Sequence, residues 1–274
     1  MPAANTRAMD KARDLACDTV IFDLEDAVAV SSKVEARGNV LQQISAGGYA
    51  RRELIVRVNG LDTPWGSDDV AACARLPVHA LLFPKVSSAD YVEEIDALLR
   101  QINPDMPIWI MIETPTALLD MQQFAGHPRV QVLVMGTSDL VQELRATHTV
   151  DRHNLAYALQ RSVAVARHFG KDILDGVHLD FRNTESLYRV CEDAKAMGFD
   201  GKTLIHPDQI ETANTVFGYS PAEEAHARVV IAAWQQAEAQ GSGVAELDGQ
   251  LIENLHAAEA QRVIAFAEAQ RQGD

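Results

Sequence analysis

The chain has 274 residues, 23% of them charged, and a formal net charge of −15 at pH 7. The length is typical of one (β/α)8-type domain, and the acidic balance argues against a nucleic-acid-binding surface. No apolar run reaches membrane-spanning length, and the opening MPAANTRAMDKAR lacks the apolar core of a secretory signal. The cysteines, Cys17, Cys73 and Cys191, are too widely spaced to indicate a disulfide framework or a zinc motif. These features predict a cytoplasmic protein that binds neither nucleic acid nor membranes.

Short β-branched runs alternate with longer amphipathic runs along the chain. This alternation predicts βα units and a parallel sheet. Strands are expected at residues 19–24, 53–58, 80–83, 108–112, 130–135, 173–175 and 201–204. Helices are expected between them at residues 33–45, 88–101, 116–124, 153–169 and 184–197. Beyond Pro207 the pattern predicts helices alone, at residues 221–240 and 250–270. The expected organisation is a barrel catalytic domain over residues 1–218 and a C-terminal helical extension over residues 219–274.

The predicted fold is an α/β barrel of the TIM (β/α)8 type whose first strand is missing. Seven strands are one fewer than a closed barrel of this kind contains. A helix-like segment at residues 5–15 follows Met1 and Pro2 directly, where a strand is expected to come first. Either the barrel is open at one seam or the natural protein begins upstream of Met1. The second alternative is favoured, because an unpaired strand edge beside a substrate site is a liability.

Three polar side chains follow apolar strands at their carboxyl ends: Arg57 after ELIV, Glu113 after IWIMI and Asp139 after VLVMGTS. In a parallel barrel these ends open onto one face, where active sites are built. Successive strand residues alternate faces. If Val56 and Ile110 pack against the outer helices, Arg57 and Glu113 point inward. Either residue alone could equally face water at a strand end, but the shared parity favours an inward position for both.

Glu113 and Asp139 are the candidate metal ligands. Mg²⁺ prefers hard oxygen donors and is often held by one or two carboxylates, with water and substrate completing the octahedron. The alternative is that Asp139 or Ser138 caps the next helix. The nine histidines form no metal-binding pattern, which argues against zinc.

A third acidic cluster, DLEDAV, lies at the end of the first predicted strand. Parity places Asp23 and Glu25 on one side, with Asp26 in the loop. Carboxylates this close repel one another unless cations or hydrogen bonds compensate. We therefore expect Glu25 and Asp26 to lie outside the metal's direct ligands and to orient its waters, with Asp26 also a candidate catalytic residue.

The motifs IFDLEDAV, RVNG, FPKV, MIET, GTSDL, DGV and GFDGKTLIHPDQI occur in this order and span nearly the whole chain. Together they resemble the CitE-like branch of the HpcH/HpaI aldolase superfamily, which includes citrate lyase β-subunits and malyl-CoA lyases. The resemblance implies Mg²⁺, with Mn²⁺ as the alternative ion, held by Glu113 and Asp139. It implies that Arg57 grips the substrate carboxylate. Family members carry an LYxPG-like strand before the first helix, of which only Met1 and Pro2 remain here.

Within that branch the chain most resembles the malyl-CoA thioesterase type, through RVNGLDTPWG, GFDGKTLIHP and LDGQLIENLH. In such enzymes the C-terminal segment covers a neighbouring subunit's site, which implies a homotrimer or homohexamer. Malyl-CoA lyases carry a catalytic aspartate in this segment, where Glu253 stands here. We expect Glu253 to act as acid/base on the neighbour's site, its longer reach favouring water attack over carbon–carbon chemistry. The alternative is a surface glutamate on an amphipathic helix.

The phosphates of a CoA thioester require positive charge near the site. Arg7 and Lys11 on the first helix and Lys85 in FPKV are candidates, and His206 and Pro207 are candidates for shaping the thioester pocket. The alternatives are a solvated helix face for Arg7 and Lys11, a structural salt bridge for Lys85 and a hydrogen-bonded structural role for His206.

The expected function is Mg²⁺-dependent action on a 3-hydroxyacyl-CoA such as malyl-CoA or citramalyl-CoA. The outcome is thioester hydrolysis, or retro-Claisen cleavage to an acyl-CoA and glyoxylate or pyruvate. One alternative is the β-subunit of a citrate lyase complex acting on an acyl-carrier thioester. Another is a metal-dependent aldolase on free 2-oxoacids. A Schiff-base mechanism on Lys85 or Lys202 is disfavoured, because nearby carboxylates would keep either lysine charged.

Overall fold

The computed structural model describes residues 1–272, which contain one curled parallel sheet of seven strands. The strands are β1 (Thr19–Asp23), β2 (Glu53–Arg57), β3 (Ala80–Phe83), β4 (Ile108–Ile112), β5 (Val130–Met135), β6 (Asp172–Asp175) and β7 (Gly201–Lys202). They lie side by side in chain order, and every neighbouring pair is parallel. This is the predicted α/β architecture, an incomplete barrel of the TIM type.

Helices connect the strands and cover the outside of the sheet. They are α1 (Thr6–Lys11), α2 (Lys33–Ala46), α3 (Gly66–Cys73), α4 (Ala89–Ile102), α5 (Pro115–Asp120), α6 (Thr137–Glu143), α7 (Ala156–His168), α8 (Thr184–Met197) and α9 (Ile210–Phe217). Their ends follow local chemistry: the Ser88 side chain caps α4, and Gly198 ends α8 in the left-handed conformation. α3, α6 and α9 were not expected from the sequence pattern, since each has at most eight residues.

The inner face of the sheet carries a buried apolar cluster. It comprises Ile55, Ala80, Leu82, Trp109, Met111, Val132 and Val134, with Ile21 and Leu174 packed against it. These residues alternate with outward-facing ones along each strand, so the parity predicted for β2 and β4 is confirmed. Continuing the same alternation beyond Ile55 and Met111 leads to Arg57 and Glu113.

The outer edge of β1 is bordered by the first three residues. The N–H of Asp23 donates to the Met1 carbonyl at 2.9 Å, and the N–H of Ala3 donates to the Asp23 carbonyl at 2.9 Å. Pro2 and Asp23 form an isolated parallel bridge. This short segment lies where an eighth strand was expected, and α1 follows it directly.

The chain divides into two compact units, Met1–Asn214 and Thr215–Asp274. The second contains α10 (Pro221–Ala239), β8 (Ala245–Leu247), β9 (Gln250–Ile252) and α11 (Asn254–Gln272), around a core that includes Val230, Ile252 and Val263. Residues 273 and 274 of the predicted extension lie outside the described residues. Within residues 1–272, no helix has the length and apolar character needed to cross a bilayer.

The prediction of helices alone beyond Pro207 was wrong at residues 245–247 and 250–252, which form the two strands of a hairpin. β8 and β9 pair antiparallel, with Leu247 opposite Gln250. The two residues between them, Asp248 and Gly249, have φ angles of 51° and 77°. Two consecutive left-handed residues form the tight turn that Asp-Gly favours, so the local turn chemistry overrides the helical periodicity.

Candidate active site

The polar residues singled out in the first unit gather at the carboxyl ends of β1–β5. Asp23 and Arg57 are the last residues of β1 and β2, and they are direct register partners. Lys85 and Glu113 follow β3 and β4 within two residues. Asp139 lies in the first turn of α6, directly after β5. One rim of the sheet therefore collects three acidic and two basic side chains, as the geometry of parallel strands requires.

Arg57 is held in place by two carboxylates. Its Nε donates to Asp23 Oδ1 at 2.7 Å and its Nη2 to Asp23 Oδ2 at 2.5 Å, while Nη1 forms an ion pair with Glu25 Oε2 at 3.1 Å. Burial alone would lower the pKa of Arg57, but the hydrogen bonds and charges of these carboxylates raise it above its usual range. A guanidinium has five N–H donors, so at least two remain for another anion.

Lys85 contacts the same acidic loop with its side chain and Glu113 with its backbone. Its Nζ lies 2.6 Å from Glu25 Oε1 and 3.6 Å from Asp26 Oδ1. Its φ angle is 53°, a left-handed conformation uncommon for a residue with a side chain. In this conformation the Lys85 N–H donates to Glu113 Oε1 at 2.7 Å. The backbone of Lys85 thus fixes one of the two oxygens of Glu113.

The second oxygen of Glu113 is buried without a hydrogen-bond partner. The side chain has no exposed surface, and Oε2 is unpaired among residues 1–272. Gly136 lies directly against it, where an added Cβ would be only 2.5 Å from Oε2. Burial raises the pKa of Glu113 to about 8, and the charge of Asp139 contributes in the same direction. An orphaned buried carboxylate oxygen is costly in a protein interior and calls for a ligand.

The donor set at this position fits a divalent cation. Within the described residues, the Asp139 carboxylate has no hydrogen bond or ion pair, and it lies near enough to Glu113 to affect its ionisation. Three further groups, Glu25, Asp26 and Lys33, and the buried amino group of Met1 lie on or beside the rim. Glu113 and Asp139 offer the open carboxylate oxygens that Mg²⁺ prefers.

A different cluster also has metal-ligand composition, but its oxygens are already engaged. Glu93, Asp96 and His127 have potential ligand atoms within 4.8 Å of one another. The two oxygens of Asp96, however, lie 2.6 Å from Arg129 and 2.6 Å from Arg100. His127 and Arg129 precede β5, so this cluster lies at the opposite end of the sheet from the rim. It is better described as a structural ion-pair network.

The two acidic residues assigned to the metal's surroundings differ in burial. Glu25 is buried and contacts Arg57 and Lys85, whereas Asp26 is exposed. The Asp26 N–H donates to Glu25 Oε2 at 3.0 Å, and its carboxylate lies 3.6 Å from Lys85 Nζ. Glu25 is therefore part of the network around Arg57, while Asp26 lies at its solvent side.

The candidate CoA-binding residues lie in three separate places. Arg7 and Lys11 are exposed on α1, and no ion pair to either is found within the described chain. His206 accepts the Asp208 N–H through Nδ1 at 3.2 Å and stacks on a neighbouring phenylalanine ring at 4.6 Å. Pro207 begins the short 3-10 turn that follows. The His206 ring is thus occupied by a helix cap and a stacking contact.

Lys202, the alternative Schiff-base lysine, is sealed inside the barrel unit. Its side chain has no exposed surface, and Nζ donates to Asp175 Oδ2 at 2.6 Å and also to the Gly176 carbonyl. Arg152 bonds the same Asp175 carboxylate at 2.8 Å. A lysine with no accessible surface cannot attack a substrate carbonyl, which removes Lys202 from the candidates.

Glu253 belongs to the second unit. It follows β9 directly and its side chain is exposed. Its N–H donates to His256 Nδ1 at 3.0 Å. Leu251 and Leu255 on either side are 59% and 64% exposed. An exposed carboxylate therefore lies between two exposed leucines.

Sequence reasoning assigned roles to Glu25 and Asp26 but missed the roles of Asp23 and Lys33. Lys33 is buried and its Nζ donates to the carbonyls of Leu24 at 2.8 Å and Glu25 at 2.7 Å. It thereby supports the loop that carries Glu25. The parity of Asp23, the inward-facing last residue of a strand opposite Arg57, was the available signal for its role.

The chain is similar to known proteins over most of its length. A family model described as HpcH/HpaI aldolase/citrate lyase matches residues 1–207. A (3S)-malyl-CoA thioesterase from Cereibacter sphaeroides (strain KD131) is 46% identical, covering 98% of this chain and 93% of the relative. The citrate lyase subunit beta of Leuconostoc mesenteroides subsp. cremoris is 30% identical, covering 98% and 92%. Protein CitE from Mycobacterium tuberculosis, solved in complex with magnesium, acetoacetate and coenzyme A, is 26% identical with a TM-score of 0.79, covering 98% and 96%.

Proposed function

Because the chain belongs to the HpcH/HpaI aldolase/citrate lyase family, we propose that it is a Mg²⁺-dependent enzyme that hydrolyses the CoA thioester of a 3-hydroxy acid, with malyl-CoA as the substrate. The observation that carries this proposal is the open carboxylate pair, Glu113 and Asp139, beside an arginine with uncommitted N–H donors. The 46% identity to a (3S)-malyl-CoA thioesterase over nearly the whole chain supports the choice of substrate.

Glu113 and Asp139 hold the cofactor in this proposal. When bound, Mg²⁺ polarises the substrate oxygens that it contacts and lowers the pKa of a bound hydroxyl. Glu113 presents Oε2 because the Lys85 N–H occupies Oε1. The burial that raises the pKa of Glu113 also shields its carboxylate from bulk solvent.

Arg57 binds the free carboxylate of the malyl group through its remaining N–H donors. A planar guanidinium matches a carboxylate with two parallel hydrogen bonds, so it fixes both the position and the orientation of the acyl group. Because the pKa of Arg57 is raised, the side chain stays charged over the whole working pH range. Correct orientation then places the thioester carbonyl for attack by water.

We assign the proton transfers of hydrolysis to Glu253 of a neighbouring subunit. It takes a proton from the attacking water as the C–O bond forms, and that proton passes to the CoA thiolate as the C–S bond breaks. Its exposed position between exposed Leu251 and Leu255 supports a role in covering another surface. Residues 219–274 would then act as the extension that completes the neighbour's site in a homotrimer or homohexamer.

Product analysis with malyl-CoA and Mg²⁺ tests the reaction. Free CoA and malate are expected, and activity should disappear in EDTA and return with Mg²⁺. Acetyl-CoA and glyoxylate would instead identify a lyase, as the 30% identity to a citrate lyase β-subunit allows. Turnover only with an acyl-carrier thioester would instead identify a citrate lyase β-subunit. Turnover of free 2-oxoacids without CoA would identify a metal-dependent aldolase.

Mixing two inactive variants tests whether subunits share the site. Glu253→Gln and Glu113→Gln are each expected to be inactive as pure proteins. If Glu253 serves a neighbour's site, refolded mixtures regain up to about a quarter of the activity, because some sites then combine an intact Glu113 with an intact Glu253. Mixtures that stay inactive, although an affinity tag on one variant co-purifies the untagged other, would place Glu253 and Glu113 in the same subunit's site or remove Glu253 from catalysis.

Arg7 and Lys11 are assigned to the CoA phosphates, because both are exposed cations on α1 with no ion pair in the described chain. The double variant Arg7→Ala/Lys11→Ala should raise KM for the CoA ester and weaken its salt dependence. Arg189→Ala on α8, an exposed arginine paired with Glu185, is the matched control. Equal KM values for the two variants would contradict the assignment.

A further inference from the structure

Asp23 differs from every other carboxylate on the rim because its hydrogen-bonding capacity is full. Oδ1 accepts from the Glu25 N–H at 2.9 Å and from Arg57 Nε at 2.7 Å. Oδ2 accepts from the Ala27 N–H at 3.3 Å and from Arg57 Nη2 at 2.5 Å. A carboxylate has about four lone-pair sites, so none is left for a metal ion, a water or a substrate proton. Asp23 is therefore neither a ligand nor a base.

The other rim carboxylates retain open positions. Glu25 contacts the Asp26 N–H, Arg57 and Lys85, which leaves about one site. Glu113 accepts a single hydrogen bond. Asp23, which has no open position, therefore supports the site, whereas Glu25 and Glu113 retain positions that can bind a ligand.

The backbone at Asp23 and Leu24 is held by hydrogen bonds, as the Asp23 side chain is. Asp23 pairs with Arg57 across β1 and β2, and the following Leu24 N–H donates to the Arg57 carbonyl at 2.9 Å. The Leu24 carbonyl accepts from Lys33 Nζ at 2.8 Å and from Asn59 Nδ2 at 3.0 Å. Asp23 thus presents its carboxylate from a rigid strand end, which is the support that accurate positioning needs.

We propose that Asp23 is the positioning residue for anion recognition: it locks the Arg57 guanidinium in the orientation that presents its remaining N–H groups to the carboxylate of the substrate. This inference rests on the proposed function for the identity of that substrate. Asp23 contacts no substrate atom and acts only through Arg57. It thereby sets the preference for a 3-hydroxyacyl group that ends in a carboxylate over one that ends in a methyl group.

Asp23→Asn is the direct test. An asparagine turns one acceptor oxygen into an NH₂ group facing an Arg57 N–H, so the bidentate contact is lost while the volume is kept. The comparison uses malyl-CoA and 3-hydroxybutyryl-CoA, which carries a methyl group in place of the carboxylate. We expect the ratio of kcat/KM for the two substrates to fall by about 10–100-fold, the range typical when a supporting partner of a site residue is removed. The loss should appear mainly in KM, because Arg57 binds the carboxylate in the ground and transition states alike.

Asp96→Asn is the matched control. Asp96 is also buried and bonded to arginines, Arg129 and Arg100, but at the other end of the sheet. It should lower the melting temperature without changing the substrate ratio. Asp23→Glu, which restores the charge with one extra methylene, should recover part of the ratio. An unchanged ratio in folded, active Asp23→Asn would overturn the inference and leave the proposed function standing.

A ligand-free measurement keeps the inference testable if malyl-CoA proves not to be a substrate. The Nε–H of Arg57 is buried in its contact with Asp23, so its ¹⁵N-resolved NMR signal should be protected from solvent exchange in the parent protein. Arg57→Lys assigns the signal. Loss of protection in Asp23→Asn, but not in Asp96→Asn, supports the positioning role. Retained protection in Asp23→Asn refutes it, whatever the substrate.

Discussion

The two ends of the seven-stranded sheet each carry a buried aspartate–arginine pair, but the surroundings of the two pairs differ. At the amino end, Arg129 donates to Asp96 at 2.6 Å and to the carbonyls of Pro104 and Met106 at 2.7 and 2.9 Å. At the carboxyl end, Arg57 donates to both oxygens of Asp23 at 2.7 and 2.5 Å and forms an ion pair with Glu25.

The neighbours of the two pairs explain the difference. Asp96 meets arginines with both oxygens. Beside Arg57, Glu113 is equally buried but keeps one oxygen without any partner among residues 1–272. Asp96 is thus a satisfied structural carboxylate. Glu113 keeps a buried oxygen without a partner in the described chain, which is energetically costly and is typical of a group that binds a ligand. The unsatisfied group, more than burial or charge, distinguishes the candidate site from the structural network.

The largest expected effect is the loss of activity in Glu113→Gln. The amide is nearly isosteric with the carboxylate but lacks the charge that holds Mg²⁺, so the contribution of the metal is lost. We expect kcat/KM for malyl-CoA to fall by at least about 10³-fold, since metal catalysis supplies several kcal/mol. Asp96→Asn should retain its activity per folded molecule. Comparable losses in both variants would erase the functional distinction between the two ends.

Asp96→Ala should produce the largest loss of stability. Removing one partner of a buried ion pair leaves Arg129 with a buried, uncompensated charge, which typically costs about 3–5 kcal/mol. Urea unfolding should show this loss in the free energy of unfolding, while the turnover of the remaining folded protein is unchanged. A loss below about 1 kcal/mol in the free energy of unfolding would mean that water replaces the carboxylate beside Arg129. The amino end of the sheet would then be more accessible to solvent than its contacts indicate.

The stability of the metal-free protein should respond to pH through Glu113. Its pKa is raised by burial to about 8 in the folded state, whereas the unfolded chain ionises near the ordinary value of 4.5. Between these values the unfolded state releases a proton that the folded state keeps, so the free energy of unfolding falls as pH rises through this window. Glu113→Gln stays neutral in both states and escapes this loss.

In EDTA, Glu113→Gln should therefore be more stable than the parent near pH 8, by up to a few kcal/mol, and equally stable below pH 4.5. Saturating Mg²⁺ should reverse the order, because only the parent gains from binding the ion. If the two proteins show the same pH dependence in EDTA, Glu113 ionises normally and the amino and carboxyl ends are less different than proposed.

The smallest expected effect concerns Arg100, the second arginine on Asp96. Its side chain is 67% exposed, and exposed ion pairs contribute little. Arg100→Ala should change the free energy of unfolding by at most about 1 kcal/mol, far less than loss of Asp96 itself. Equal effects would show that the network depends on total charge and not on the buried contact to Arg129.

Sequence periodicity predicted the parallel sheet and the inward parity of Arg57 and Glu113, because successive side chains of a strand point to opposite faces. Placing Val56 and Ile110 against the outer helices is therefore sufficient to orient both side chains. Parity also placed Asp23 with Glu25 on one side of the first strand. The contacts that Asp23 and Lys33 make could not be predicted in this way, because they depend on which loop atoms fold back onto the strand ends, and no period in the sequence records that.

The short elements were also beyond the reach of periodicity. α6 begins at Thr137 with Gly136 at its N-cap, so Asp139 lies in the first turn and does not cap the helix as the alternative interpretation held. The β8–β9 hairpin was missed although Asp248-Gly249 is a strong turn signal. Its three-residue strands are too short for an alternating pattern, and the flanking helices dominate any longer window.

Lys85 has a left-handed backbone conformation and makes two separate contacts, one through its backbone N–H and one through its side chain. Its amide orients a carboxylate, while its ammonium bridges the acidic loop. Replacement by asparagine or glycine, which both tolerate a positive φ, would abolish the bridge and leave the amide in place, whereas a β-branched residue would disturb both. The charge at this position can therefore change without moving Glu113 Oε1, the oxygen that the Lys85 amide holds.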